Sequence, residues 1–315
     1  MTHITMVGLG AVGVATAGTL LQEGLASRMT FFDVLNEKAE GEAWDFTHAA
    51  GLLPTCEVDS LPYERLFGAD ICIVSAGVKS RPGESRLNLL ERNIEVVEEV
   101  CERFEKNGFP RILLVLTNPV DVITECFTRR LAGRNVVVFG SGTSLDTYRL
   151  KQMIAAKAKV HASNAHAWVI GEHGDSSVSL FSSARIGCIP LLNYLHQGEL
   201  VFTSDDFEAM SQEVRGAAQK IIERKGATAH AIGLTAGRLI RAVVKNENII
   251  VPVSVRVEQD VCLSVPCQIN SWGAGPALQV PLSEAEQIAF KNSLTIVKKA
   301  CQLLPQNKTK IAWSP

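Results

Sequence analysis

The sequence predicts an α/β fold, a doubly wound parallel sheet followed by a second, α+β domain, and three observations carry the prediction. An apolar run, Ile4–Val7, leads into Gly8-Leu9-Gly10-Ala11-Val12-Gly13 and then into a helical pattern. Short apolar runs keep alternating with helical stretches as far as residue 142. Beyond that point the alternation stops, and long amphipathic helices and β-rich segments take over. A chain of 315 residues is about two domains long, so the expected division is 1–142 and 143–315.

Taken in order, Ile4–Val7 reads as a buried strand and the stretch to Gln22 as a helix, with Gly24 as its stop. Thr30-Phe31-Phe32-Asp33 is the next strand, Glu37–Ala50 a helix and Thr55–Val58 a short strand. Asp70–Ser75, Arg111–Leu116 and Asn135–Phe139 are strands, each followed by a turn: Ala76-Gly77, Asn118-Pro119 and Gly140-Ser141-Gly142. Three such turns along one sheet edge form a binding rim, because ligands of open parallel sheets bind at the strands' carboxyl ends. In the second part, Leu145–Lys157 reads as a helix, Ala165–Ile170 as a strand and Val178–Cys188 as β-rich. Helices over about 205–225 and 227–244 follow, then strands and turns over 249–281. A last helix, Ser283–Leu303, opens on Ser283 and Glu286 spaced as a capping box.

Composition narrows the function. Lys and Arg number 31 and Asp and Glu 33, a net charge of -2 with no long run of either sign, which argues against nucleic acid or an anionic membrane as partner. The eight cysteines are scattered without a Cys-x-x-Cys pair, a pattern of free thiols in a reducing compartment. His48, His161, His196 and His230 have no neighbours at metal-ligand spacing, so no metal is expected. Residues 4–21 are uncharged, yet no basic stretch precedes them and Gly8, Gly10 and Gly13 interrupt them. Strand, turn and helix explain this better than a leader or a membrane span, and a cytoplasmic protein is expected.

The glycine pattern has a mechanical reading. The first glycine makes a tight turn, the second lets main-chain N–H groups approach a pyrophosphate at the helix N-terminus, and the third lets helix and strand pack closely. Asp33, about twenty residues on, is placed to accept hydrogen bonds from a ribose diol and to repel a 2′-phosphate. This is the Rossmann arrangement, and it favours NAD over NADP. A second focus is Gly171-Glu172-His173-Gly174-Asp175 at the end of an apolar run. Flanking glycines permit a sharp turn and a close approach, and an imidazole exchanges a proton near neutral pH. Alone, the pentapeptide fits a polar turn equally well. Singly, Asp146 and Arg149, three apart on a helix, fit a surface ion pair, and Asn118 before proline an ordinary turn.

In chain order, Gly8–Gly13, Asp33, Pro82-Gly83-Glu84-Ser85-Arg86, Thr117-Asn118-Pro119-Val120-Asp121, Gly140-Ser141-Gly142-Thr143, Leu145-Asp146-Thr147-Tyr148-Arg149 and Gly171–Asp175 together resemble the L-lactate/malate dehydrogenase family of L-2-hydroxyacid dehydrogenases, nearly end to end. That resemblance implies an NAD-dependent oxidoreductase in which His173 gives a proton to the substrate's ketone oxygen as hydride arrives and removes it in reverse. Asp146 would orient the imidazole, Arg149 would bind the substrate carboxylate through a planar two-pronged contact, and Arg86, on a lid, would polarise the carbonyl. Asn118 would contact both the substrate oxygen and the nicotinamide. Gly8, Gly10, Val12, Gly13, Asp33, Ala76 and Gly77 would hold the cofactor. The family is usually dimeric or tetrameric, and helices 37–50 and 205–225 are the candidate interface.

Substrate choice is where the sequence departs from the family's pattern. Lactate enzymes usually carry glutamine, and malate enzymes arginine, at the lid position where this chain has Ser80. Glu84, Gly140–Thr143 and Thr228, which the resemblance places beside the substrate side chain, lean toward lactate. A small Ser80 also leaves room for branched or aromatic 2-oxo acids, and Arg81 next door keeps malate open. His166 and Lys151 match positions where bacterial relatives bind a sugar bisphosphate. Outside the class stand a non-catalytic NAD-binding protein and a sugar or alcohol dehydrogenase. The first is expected to lack His173, Arg149 or Arg86, and the second has no need of Arg149.

Overall fold

Apolar side chains that alternate between the two faces of every central strand organise the molecule. In the computed structural model, which describes residues 2–78 and 86–304, with the side chains of residues 86 and 87 outside that set, β1 (His3–Val7) leads to α1 (Ala11–Gln22), β2 (Arg28–Phe32), α2 (Asn36–His48), β3 (Glu57–Ser60) and β4 (Ile71–Val74). Then come α3 (Arg86–Asn107), β5 (Ile112–Val115), α4 (Val120–Arg130) and β6 (Val137–Gly140). Ile71 and Ile73 pack on one face of the sheet and Cys72 and Val74 on the other, and Ile112, Leu114 and Leu113, Val115 repeat the pattern. Strands buried on both faces need helices on both faces. Residues of α1 and α2 fill one apolar cluster and those of α3 and α4 the other.

The second part begins with α5 (Ser144–Ala158), β7 (Ala165–Ile170), β8 (Val178–Ile186) and three two-residue strands, β9 (Ile189–Pro190), β10 (Leu195–His196) and β11 (Glu199–Leu200). Helices α6 (Ser204–Lys225) and α7 (His230–Val244), strands β12 (Ile249–Glu258), β13 (Val261–Asn270) and β14 (Gly273–Ala277), and helix α8 (Glu284–Cys301) complete it. Leu150 and Ile154 of α5 pack with Val169, Ile186 and Val214 in a separate cluster.

Among the described residues the main sheet has nine strands in the order β14-β13-β12-β6-β5-β4-β1-β2-β3. The six from β6 to β3 are parallel, and their order reverses between β4 and β1. That reversal opens a crevice at the strands' carboxyl ends. The remaining three, all from the second half of the chain, run antiparallel and join through Ser254 opposite Gly140. Periodicity indicates that 249–281 forms strands but not which edge they seek. Pairing with β6 covers main-chain groups that would otherwise lie at an open edge. The helix expected from Ala227 starts at His230, because Gly226, at φ +83°, closes α6 and the next residues serve as the connection. The strand expected at 55–58 lies two residues later. None of the eight cysteines is in a disulfide. No helix among the described residues is long and apolar enough to cross a membrane.

The capping box at 283–286 has a wider reach than its spacing indicates. Ser283 Oγ accepts from the Glu286 N–H, and Glu286 accepts from the Ser283 N–H at 2.8 Å. The same carboxylate accepts from the main chain and hydroxyl of Ser182 on β8, at 3.1 and 2.5 Å. Burial opposes its charge, but these donors win and hold the Glu286 carboxyl below its ordinary range. A lowered native value contributes stability above the unfolded value, lost as pH falls through the folded one. Glu286→Gln is therefore expected to cost about 1–2 kcal/mol at pH 7, with the gap to the parent closing in urea-unfolding midpoints as pH falls below the ordinary glutamate value.

Candidate active site

Two helix N-termini and one loop meet at His173. Helix α5 carries Asp146 in its first turn, where the helix dipole favours an anion. Its position relative to β7 is fixed by two threonines on either side of Asp146. Thr143 Oγ1 donates to the Val169 carbonyl at 2.5 Å, and Thr147 Oγ1 accepts from the Val169 N–H at 2.9 Å. Ser144 Oγ donates to the Pro252 carbonyl at 2.7 Å, so α5 is tied to β12 as well. With Val169 held, the chain leaves β7 in one direction only. Gly171 turns it at φ +89°, a conformation that favours glycine, and bridges to Ser264 on β13. Glu172 N–H then donates to Ser293 Oγ of α8 at 2.7 Å.

This brings His173 Nδ1 within 2.6 Å of Asp146 Oδ2, while Arg149 Nη1 donates to Asp146 Oδ1, also at 2.6 Å. The Asp146 side chain is 6% exposed and that of Arg149 16%, so the surface ion pair left open by the spacing is not what forms. A buried carboxylate that keeps its charge needs charged or hydrogen-bonded partners, and here it has two. Burial raises the Asp146 carboxyl, but His173 and Arg149 outweigh burial and hold it below its ordinary range. An ionised carboxylate only accepts, so Nδ1 carries the hydrogen and Nε2 is left to take up or release a proton. Burial pushes the His173 imidazole down and Arg149 adds to that, but Asp146, joined by Asp121, pushes it up, and the net shift is upward.

The glycine-rich turn stands at the crevice. Gly8, at φ +90°, leaves no room for a side chain: a Cβ there would sit 2.5 Å from the Ala76 nitrogen. At Gly13 a Cβ would meet the Gly8 carbonyl oxygen at 2.0 Å, which is the close packing of helix on strand that a third glycine permits. Gly10 differs. It caps α1 with no side-chain hydrogen bond, and a Cβ added there would find nothing within 4 Å. An uncapped helix N-terminus with open space before it fits an anionic pyrophosphate. Asp33 follows β2 and accepts from the Leu9 and Leu35 N–H groups at 2.8 and 3.0 Å, retaining acceptor capacity for a diol. Val12 packs partly buried beside the core.

Ala76, Gly77 and Asn118 line up on the neighbouring strand ends. Thr117 Oγ1 donates to the Ala76 carbonyl at 2.6 Å. Buried Asn93 of α3 accepts from the Val78 N–H at 2.9 Å and donates to the Asn118 carbonyl at 3.0 Å, linking both loops. Gly142 of the expected rim instead abuts β12 and β13, where a Cβ would lie 2.3 Å from Ser264 Oγ. Thr228 sits half-buried between α6 and α7. Arg86 is the first residue of α3; its side chain and Ser80 lie outside the described residues. Lys151 is half-buried with its amine 5.7 Å from the Tyr148 ring centre, and His166 is exposed on β7.

Asn93, Ser293 and Asp121 went unassigned in the sequence. The available signal was a polar residue in an apolar setting: Asp121 between Val120 and Val122, Asn93 at helical spacing from Leu90 and Val97, and Ser293 at helical spacing from Phe290 and Val297.

The doubly wound sheet, the uncapped glycine turn and the His–Asp–Arg cluster define a nicotinamide-dependent oxidoreductase. The chain belongs to the lactate/malate dehydrogenase family: residues 2–140 match the family's NAD binding domain, and residues 143–306 match its alpha/beta C-terminal domain. It is 35% identical over 304 residues to an L-lactate dehydrogenase of Geobacillus sp. (strain WCH70), with 95% of each chain covered. It is 37% identical over 308 residues to an L-lactate dehydrogenase of Acetivibrio thermocellus, with 96% of each covered. Among solved structures, the minor L-lactate dehydrogenase from Enterococcus mundtii superposes with a TM-score of 0.92 at 30% identity, over 97% of this chain and 99% of that one. The lactate dehydrogenase MGS-M5, from a Medee basin deep-sea metagenome library, gives 0.89 at 32% identity, over 96% and 98%. As a member of this family, the protein is an NAD-dependent enzyme acting on the CH–OH group of a 2-hydroxy acid.

If Asp146 is what overcomes burial at His173, Asp146→Asn should drop the imidazole midpoint from above the ordinary histidine value of 6.5 to below it. Ring-proton NMR titration of the cofactor-free protein measures this directly, and a midpoint that stays above 6.5 would contradict the argument.

Proposed function

We propose that the protein is an NAD-dependent L-2-hydroxyacid dehydrogenase with pyruvate and L-lactate as its preferred pair. The observation that carries the proposal is one buried carboxylate, Asp146, shared between His173 Nδ1 and Arg149 Nη1 at 2.6 Å each. A proton carrier and a carboxylate-binding guanidinium thereby stand side by side. The names of the curated relatives support lactate as substrate.

Bound NAD(H) would supply the hydride exchanged with C2 of the acid. In the reducing direction, protonated His173 gives its Nε2 proton to the ketone oxygen, and Asp146 keeps the ring oriented and its charged form populated. Arg149 has donors to spare after its bond to Asp146, and these bind the substrate carboxylate as a fork. Arg86 polarises the carbonyl, while Asn118 contacts the substrate oxygen and the cofactor. Ser80 and Thr228 would determine which substrate side chain is accepted. Gly8, Gly10, Val12, Gly13, Asp33, Ala76 and Gly77 hold the dinucleotide, with residues 1–142 as its domain and 143–315 as the substrate domain. We further propose a cytoplasmic homo-oligomer, dimer or tetramer, assembled through α2 and α6, where Trp44 and Ile222 are exposed.

The test is NADH oxidation with pyruvate, 2-oxoisocaproate, phenylpyruvate and oxaloacetate, compared by kcat/KM. Pyruvate is expected to lead. A lead for the bulky acids would mean that Ser80 has widened the pocket and that the enzyme is a broad 2-hydroxyacid dehydrogenase. A lead for oxaloacetate would make Arg81 the reader of a second carboxylate. Turnover of none of the four would reject the proposal. Arg149→Gln should lower kcat/KM for pyruvate on the order of 1,000-fold, the loss of two charge-assisted hydrogen bonds. A sugar or alcohol dehydrogenase would be spared.

A further inference from the structure

A second buried carboxylate reaches His173, at its main chain rather than its ring. Asp121 lies in the first turn of α4 and is 3% exposed. Its Oδ2 accepts the main-chain N–H of His173 at 2.8 Å. Its Oδ1 accepts from Ser254 Oγ on β12 at 2.6 Å and from Ser264 Oγ on β13 at 3.3 Å, two fully buried hydroxyls that face each other across the strand pair. Ser264 is the residue that bridges to Gly171 and accepts from the Thr143 N–H, so one carboxylate is wired to β12, β13, the start of α5 and the loop. No salt bridge among the described residues neutralises it; its donors are a peptide and two hydroxyls.

We propose that Asp121 is a positioning residue for His173, one that fixes the main chain of the acid–base group and places a second negative charge beside its imidazole. The proposal rests on His173 being the acid–base group, as argued above. A structural anchor alone could be neutral, because an amide or a hydroxyl would satisfy a peptide N–H and two serines without the cost of a buried charge. That cost is visible: burial drives the Asp121 carboxyl up to about 6, in spite of Ser254 and the His173 N–H. In return, its charge favours the imidazolium in the same sense as Asp146. The other titratable groups around the pair are Asp146 and Arg149 on α5, Glu172 on the loop and Cys301 on α8. Glu172 opposes ionisation of Asp121 and Arg149 opposes protonation of His173, so neither supplies the support that Asp121 gives.

Asp121→Asn keeps the shape and an acceptor but removes the charge. It is expected to move the His173 midpoint down in NMR titrations of the cofactor-free protein. The alkaline fall of kcat/KM for pyruvate reduction should move down with it, and kcat should drop about 10- to 100-fold with KM for pyruvate little changed. A folded Asp121→Asn protein with an unmoved His173 midpoint and an unmoved alkaline limb would overturn the proposal. Reciprocity gives a second reading that does not depend on that variant folding. His173→Asn keeps the N–H that Asp121 accepts but removes the imidazolium. The Asp121 carboxyl, followed by 13C NMR, should then titrate at higher pH than in the parent, and an unchanged midpoint would equally overturn the proposal. Turnover retained by His173→Asn would mean that the acid–base assignment itself is wrong. An inactive His173→Asn beside an Asp121→Asn protein of unaltered pH behaviour would remove only the role of Asp121.

Discussion

Keeping Asp146 charged inside the protein is the constraint on which the site depends. A carboxylate taken out of water loses solvation worth several kcal/mol and either takes up a proton or finds partners that replace the water. Here the partners are a histidine from a loop and an arginine one turn along the same helix. Each gains from the arrangement. The imidazole is held in one tautomer with its other nitrogen available, and the guanidinium is drawn under partial cover with its remaining donors unspent. Three groups that would be costly to bury singly become tolerable together, and the cluster is then only as good as the geometry that maintains it.

That geometry is supplied by hydrogen bonds from several surrounding elements. Thr143 and Thr147 clasp both main-chain groups of Val169, which sets the register of β7 against α5. Ser264 pairs with Gly171, Ser293 with Glu172 and Asp121 with His173, so three successive peptides of the loop are held by three different elements. A loop that carries a functional side chain is usually the mobile part of a fold. This one is bonded almost as fully as a strand. The addition of β12–β14 to the parallel sheet acquires its meaning here. Besides covering the edge of β6, it delivers Ser254 and Ser264 to the point where the loop needs them.

How much of this the sequence discloses follows from the range of each interaction. Gly8, Gly10, Gly13 and Asp33 are legible because strand, turn and helix are local, and local spacing constrains what the backbone can do. The Ser283–Glu286 box is legible for the same reason, although its bonds to Ser182 are not. His173, Asp146 and Arg149 are legible as a set only through family resemblance; the spacing of Asp146 and Arg149 fits a surface pair just as well. Asp121 and Ser254 are 133 residues apart and Glu172 and Ser293 are 121, and no periodicity in one chain encodes such a partner. What the sequence does carry is the anomaly: an aspartate between valines at a helix start, an asparagine on the buried face of α3, a serine in the middle of α8. Each is a polar group in an apolar setting, and such a group must be satisfied by something.

The two halves of the site are joined by the same logic. Asn93 ties the turn after β4 to the turn after β5, and Asp121, three residues beyond Asn118, ties the start of α4 to His173. The segment 117–121 therefore stands between the glycine-rich turn region and the His173 imidazole. Its first residue bonds to the Ala76 carbonyl, its second to Asn93 and its last to the main chain of His173. A hydride and a proton that arrive at neighbouring atoms of one substrate must be delivered from sources in fixed register, because misplacement by about 1 Å can cost 100-fold in rate. One turn and one helix start, held at three points by buried polar groups, provide that register without requiring the domains to be rigid throughout.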